Sequence, residues 1–267
     1  MDKDNTTNQW AELLQKALNE PGVISEAYSR FHNYSLGNQL LAAFQCSARD
    51  IPLGPIGTFL HWKANGRFVR KGEKALMLCM PITGKRSAEK HNDETGQDET
   101  VEVGFTRFTY RNKWFVLSQT DGAEYTPEPL PDWDADKALE TLNITRVPFD
   151  LMDGNCQGYA TKRNIAINPL AEHATRTMLH EIAHVVLGHT VEGTMNDSGE
   201  RTPRDIRELE AEATAMLVSA SLGLPGVEES RGYIQGWYTG HDVPERSAQK
   251  IFHAADQILK AGRRVDA

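Results

Sequence analysis

Thr177-Met178-Leu179-His180-Glu181-Ile182-Ala183-His184-Val185-Val186-Leu187-Gly188-His189 is the stretch on which the reading of this chain turns. It is apolar enough to form a buried helix, and Gly188 supplies a stop because it accepts a positive φ without steric cost. Residues four apart share a helix face, so His180 and His184 can direct both imidazoles at one metal ion. Glu181 stands beside the first of them, placed to take a proton from a metal-bound water. A buried helix also gives such a pair the rigidity it needs. His189 follows the stop and is assigned to the surface.

Two histidines do not complete a site, because hydrolytic zinc takes three protein ligands and keeps one position for water. The third ligand is sought in Arg207-Glu208-Leu209-Glu210-Ala211-Glu212-Ala213-Thr214-Ala215-Met216-Leu217-Val218, a second apolar helix. Glu208 and Glu212 share a face at i, i+4, whereas Glu210 is turned away from them. Glu208 is therefore the candidate ligand, and Glu212 the partner that accepts an N–H from a liganding histidine. This pattern resembles the glutamate-ligand zincins, whose second helix carries Glu-x-x-Ala followed by Asp or Asn. Glu212 stands here where that shorter residue is usual. Cys156 reads as a small buried apolar residue. The segment Tyr159–Asn168 reads as one strand, suited to the edge along which an extended peptide pairs.

With 267 residues, the chain has room for one large domain or two smaller ones. Its 39% hydrophobic and 25% charged residues are ordinary for a globular protein. No apolar run is long enough to span a membrane, and Met1–Asn8 lacks the apolar core of a secretory signal. Three scattered cysteines, Cys46, Cys79 and Cys156, give no disulfide framework, which favours a reducing cytoplasm. A net charge of −8 argues against coating nucleic acid by charge alone, but leaves room for a local basic groove.

Gln9–Asn19 is amphipathic, with Trp10, Leu13, Leu14, Ala17 and Leu18 on one face, and Glu20-Pro21-Gly22 ends it. Further helix is expected over Ser25–Phe31 and from Ser35, as N-cap, through Phe44. After Ile51-Pro52-Leu53-Gly54-Pro55 the pattern shortens to strands at Phe68-Val69, Ala75–Met80, Val101–Tyr110 and Lys113–Ser118. Lys85–Thr100, polar and charged, is expected to be a mobile hairpin tip. The proline-rich Tyr125–Pro131 reads as a linker. A short helix near Asp134–Thr141 and a final amphipathic helix at Glu245–Leu259 complete the pattern. The expected fold is α+β in two domains, 1–124 and 133–267, joined by a linker at 125–132.

Between Leu60 and Arg86 the basic residues Lys63, Arg67, Arg70, Lys71, Lys74, Lys85 and Arg86 face one acid, Glu73. Phe59, His61, Trp62 and Phe68 are interleaved with them. Cations that track a backbone and aromatic faces for stacking suit single-stranded nucleic acid, and a solvated strand-turn-strand over a buried tryptophan explains the composition equally well. Tyr34–Ala42, Gly57–Trp62, Val69–Lys74 and Phe115–Gly122 together look like the amino-terminal domain of ArdC-type antirestriction proteins, a family of plasmids, phages and actinobacterial mobile elements. His180–His184, Glu208–Glu212 and Tyr233–Trp237 continue the likeness over nearly the whole chain.

The resemblance implies a single-stranded-DNA-binding α+β domain with a small antiparallel sheet, joined to a zincin-like metallopeptidase domain. Asn38, Trp62, Lys63, Arg67, Arg70, Lys71 and Lys74 are the candidate DNA contacts. His180, His184 and Glu208 would hold Zn²⁺, with Mn²⁺ or Co²⁺ as alternatives. Glu181 is the catalytic base, and Tyr233, Tyr238 and His241 are candidates to steady the oxyanion. The expected role is to protect incoming DNA from restriction. Two rivals stand beside it: simple occlusion of DNA with a structural or non-proteolytic metal site, and a peptidase that cuts a repressor or restriction subunit while tethered to DNA.

Overall fold

The computed structural model of the chain describes residues 9–92, 97–151, 156–191, 202–238 and 243–264. It divides into two compact units: Phe44–Thr126, and Met1–Ala43 together with Pro127–Ala267. Helix α1 (Gln9–Asn19) buries Leu13, Leu14, Ala17 and Leu18, the stripe set by its apolar spacing. Helix α2 (Val23–Phe31) starts after Gly22, whose φ of 83° only glycine adopts cheaply. Helix α3 (Leu36–Ser47) follows, and its Leu36 N–H donates to the Asp256 carboxylate at 2.8 Å.

The unit Phe44–Thr126 takes in the end of α3 and continues with strand β1 (Ile56–Thr58) and helix α4 (Phe59–Ala64). Thr58 caps α4 by accepting the His61 N–H. Strand β2 (Arg67–Val69) precedes a long hairpin of β3 (Leu76–Asn92) and β4 (Gln97–Val116), and β5 (Thr120–Gly122) returns to pair with β2. The main sheet has the antiparallel order β1-β4-β3. The strands run through most of Lys85–Thr100, expected to be a mobile tip, as antiparallel pairing continues to Asn92 opposite Gln97. Residues 93–96 lie outside the described residues. Trp62 lies at the centre of this unit, with no exposed surface, and donates its Nε1–H to the Phe115 carbonyl at 2.9 Å.

Helix α5 (Ala135–Thr141), capped by Asp134, opens the remaining segment. The expected strand Tyr159–Asn168 divides in two. Lys162, at φ 55°, turns the chain between β7 (Gly158–Thr161) and β8 (Asn164–Ile167). With β6 (Thr145–Arg146) they form a sheet of order β6-β8-β7, which leaves β7 at an edge. Helix α6 (Ala174–Val186) packs on β7 and β8. It lies against α7 (Arg204–Ser221), which is buried continuously from Leu209 to Ser221. Helices α8 (Val227–Tyr238) and α9 (Glu245–Ala261) cover α7.

The first two helices close the same core, α1 against α9 and α2 against α7. Glu245 accepts the Trp10 and Ala11 N–H groups at 3.0 Å, an anion at a helix N-terminus. Arg231, itself buried, donates to the Leu18 carbonyl at the other end of α1. The indole of Trp10 rests on Phe252, ring centroids 5.7 Å apart. The expected single domain over 1–124 differs from this division. Residues 9–43 sit with the C-terminal helices because those helices cover their apolar faces.

Candidate metal centre

Helix α6 carries His180 and His184 one turn apart, and α7 lays Glu208 against both. The two Nε2 atoms are 3.1 Å from each other. Glu208 Oε2 lies 3.5 Å from the Nε2 of His180 and 3.4 Å from that of His184. Donors about 2.0–2.1 Å from a tetrahedral ion lie about 3.3–3.4 Å apart. The three ligand atoms thus already have the spacing of one face of such a tetrahedron, which is how this donor set fits a divalent cation. Among the described residues they form a candidate metal-holding group.

Glu181 is buried at 7% exposure beside this face. Removal from water pushes its carboxyl pKa up, and the neighbouring histidines only partly oppose that. Gly158 on β7 explains the closeness. A Cβ there would stand 3.2 Å from the Glu181 Cγ and 2.8 Å from the Thr177 Cγ2. Without a side chain, the edge strand comes directly against the helix at Glu181.

Each histidine has a partner behind it. His180 Nδ1 lies 2.9 Å from Glu212 Oε2, hydrogen-bonding distance between the ring and the longer glutamate. Arg176 pairs with the other Glu212 oxygen and donates its Nε–H to Ser230 on α8 at 2.7 Å. Burial works to raise the Glu212 pKa, but bonds from His180, Ser230 and Arg176 outweigh it and bring it to about 2. Burial also works against the His180 imidazolium, yet Glu208 and Glu212 hold its pKa up at about 9. Glu208 is correspondingly held well below the usual carboxylate range by His180 and His184.

His189, expected at the surface, is buried instead, its side chain 6% exposed. Its Nδ1 lies 3.0 Å from His184 Nδ1. The cause is the way α6 ends. Gly188 takes φ 77°, its N–H bonds to Val185, and the His189 N–H reaches back to the His184 carbonyl at 2.9 Å. That is a Schellman stop, which brings the residue after the glycine over the residue five before it. Read fully, the Gly188-His189 step carried this signal in the sequence. Glu210 was turned away from Glu208 as expected, but it meets His189, with Oε2 2.9 Å from Nε2. It is 1% exposed, and its Oε1 lies 3.8 Å from Lys250 Nζ.

The remaining candidates are scattered. Tyr233 lies on α8 with 53% of its surface exposed. The Tyr238 side chain and His241 lie outside the described residues. Cys156 is half-buried and donates its thiol to the Gly158 carbonyl. In the other unit, Trp62 is enclosed, so its ring offers no face to a base. The Arg67 guanidinium is committed to Thr120 and Ala123, and that of Arg70 to Glu73 and the Ser118 carbonyl. Lys63, Lys71 and Lys74 are exposed, as are Phe59 at 51% and Phe68 at 59%. Asn38, on α3, belongs to the unit that holds the metal centre.

Comparison with known proteins also gives two parts, but the first family match spans both compact units rather than one. Residues 4–111 match the family model described as the N-terminal domain of anti-restriction factor ArdC. Residues 140–244 match the IrrE N-terminal-like domain, a peptidase family designated M78. The chain is similar in fold to the Mn(II)-bound crystal structure of the antirestriction protein ArdC from plasmid R388, at 17% identity and a TM-score of 0.51. That match covers 97% of this chain and 100% of the other. The metal-free structure of the same protein matches at 18% identity and a TM-score of 0.45, over 95% of each chain. No curated protein matches the chain. In chain order, the protein thus carries a segment that matches the ArdC N-terminal domain family and a segment that matches the IrrE-like M78 peptidase family.

Proposed function

We propose that this chain is an antirestriction protein of a mobile genetic element, cytoplasmic, that binds single-stranded DNA and carries a metal-dependent peptidase centre. The observation that carries the peptidase reading is the spacing of three ligand atoms beside a buried carboxylate. His180, His184 and Glu208 would hold the cation, zinc by donor type, with manganese or cobalt as the alternatives. Mn(II) in the R388 relative supports a divalent ion without choosing among these. When bound, such an ion lowers the pKa of water and polarises a carbonyl.

The chain's own residues supply the rest. Glu181, its pKa raised by burial, can take a proton from a water and return it to the leaving amine. Glu212, held by Arg176, accepts the His180 Nδ1–H and so leaves the Nε2 lone pair for a cation shared with Glu208 and His184. The edge strand β7 can hold an extended peptide by main-chain pairing, and Gly158 brings that edge against Glu181. Tyr233 is the described candidate for the oxyanion donor. A restriction subunit or a repressor is the proposed substrate class.

For DNA, exposed Lys63, Lys71 and Lys74 replace the committed arginines as phosphate contacts, and Phe59 and Phe68 replace Trp62 as stacking faces. One comparison tests both halves. Protection of transferred DNA is measured for Glu181→Gln and for the triple variant Lys63→Ala, Lys71→Ala, Lys74→Ala, with a search for cleaved host proteins under chelator control. Loss in both variants is expected. Full protection by a folded, metal-loaded Glu181→Gln would leave occlusion of DNA as the function.

A further inference from the structure

We propose that His189 and Glu210 form a positioning relay for the metal ligand His184, so that the two histidines of the centre are held by different devices. The inference rests on the reading of His184 as a ligand through Nε2, the atom that faces His180 and Glu208 at 3.1 and 3.4 Å. A nitrogen that gives its lone pair to a metal carries no proton, so the His184 proton sits on Nδ1. That Nδ1 is 3.0 Å from His189 Nδ1. Two ring nitrogens bond only when one donates and the other accepts, so His189 Nδ1 accepts. The His189 proton is thereby placed on Nε2, 2.9 Å from Glu210 Oε2, which accepts it.

Each step fixes the next, and the series ends on a carboxylate with 1% exposure on α7. His180 is served directly by Glu212, a carboxylate one bond behind the ring. His184 has a neutral imidazole interposed between it and its carboxylate. The interposed ring is delivered by the Schellman stop, and Glu210 comes from the back of the helix that supplies Glu208 at the front. Helix α7 therefore serves the centre from two faces, with ligand and first partner on one and the relay's anchor on the other.

Metal affinity, read by zinc titration against a chromophoric chelator, tests the relay without using peptidase activity. His189→Phe keeps a ring of similar volume but removes the acceptor, and should weaken zinc binding about 10- to 100-fold. His189→Asn, whose Oδ1 can stand near the place of Nδ1, should recover most of that loss. Glu208→Ala serves as the control for the centre itself. If Glu208→Ala abolishes tight binding while a folded His189→Phe keeps full affinity, the relay is wrong and the centre stands. If Glu208→Ala binds zinc as tightly as the unaltered chain, the ligand assignment on which the relay rests is wrong. Should His189→Phe not fold, ring-nitrogen NMR of the unaltered zinc-loaded protein decides the matter. It should show protons on His184 Nδ1 and His189 Nε2, and a proton on His189 Nδ1 would overturn the relay.

Discussion

On the proposed reading of His180 as a ligand, a proton and a metal ion compete for its Nε2. Burial lowers the pKa of that imidazole, but Glu208 and Glu212 more than reverse the effect and hold it at about 9. Below that pH the ring is protonated, and a metal must displace the proton to bind. Zinc affinity should therefore rise as pH climbs from 6 towards 9, about tenfold per unit, and level off above it. Calorimetric titration in buffers of different ionisation heat would detect the released proton. A pH-independent affinity over that range would contradict the coupling. Trp62 presents a separate question at the same scale. With no exposed surface and a bond to Phe115, it should cost about 3–5 kcal/mol when replaced by alanine, read by denaturant unfolding. Trp62→Phe should cost far less and leave single-strand affinity unchanged, whereas Phe68→Ala should weaken binding while sparing the fold.

Among the secondary-structure elements, two glycines decide how strand and helix reach the centre. Gly188 ends α6 at φ 77°, and nothing lies within 4 Å of the place its Cβ would take. The cost of Gly188→Ala is then conformational only, about 1 kcal/mol, and it should appear as a small loss of thermal stability. Gly158 is the opposite case, because its constraint is space. A Cβ there would meet Thr177 at 2.8 Å, the Ala166 carbonyl at 3.1 Å and Glu181 at 3.2 Å. Gly158→Ala should destabilise by about 1–3 kcal/mol and move the edge strand away from Glu181. Unchanged stability and unchanged metal affinity together would show that β7 does not press on this helix.

Across the whole molecule, division of the core matters more than the number of elements. Helices α1 and α2 cover α9 and α7, with Glu245 at the start of α1 and Arg231 at its end. A fragment of residues 127–267 would expose those apolar faces, so it should melt at lower temperature than the full chain and bind a hydrophobic dye. Equal melting would show that α1 and α2 add nothing to that core. In the other unit, charge rather than apolar area sets the measurable quantity. Each phosphate contact to a single strand adds about 0.7 to the slope of log affinity against log salt. Alanine at Lys63, Lys71 and Lys74 should reduce that slope by about 2.

What the sequence determined by itself was local. Helical periodicity gave α1, α6, α7 and α9, the four-residue spacing put His180 and His184 on one face, and the same spacing separated Glu208 and Glu212 from Glu210. Those results depend on backbone geometry within a turn or two, which residue type and spacing report directly. The tertiary structure decided what lies across each face. It gave Glu210 to His189, enclosed Trp62, tied up Arg67 and Arg70, and moved the first two helices into the C-terminal core. Periodicity shows that a side chain points away from its neighbour but not what waits there, because the partner comes from a distant part of the chain. That choice is made only when the core closes and the buried polar groups take the partners that packing brings to them.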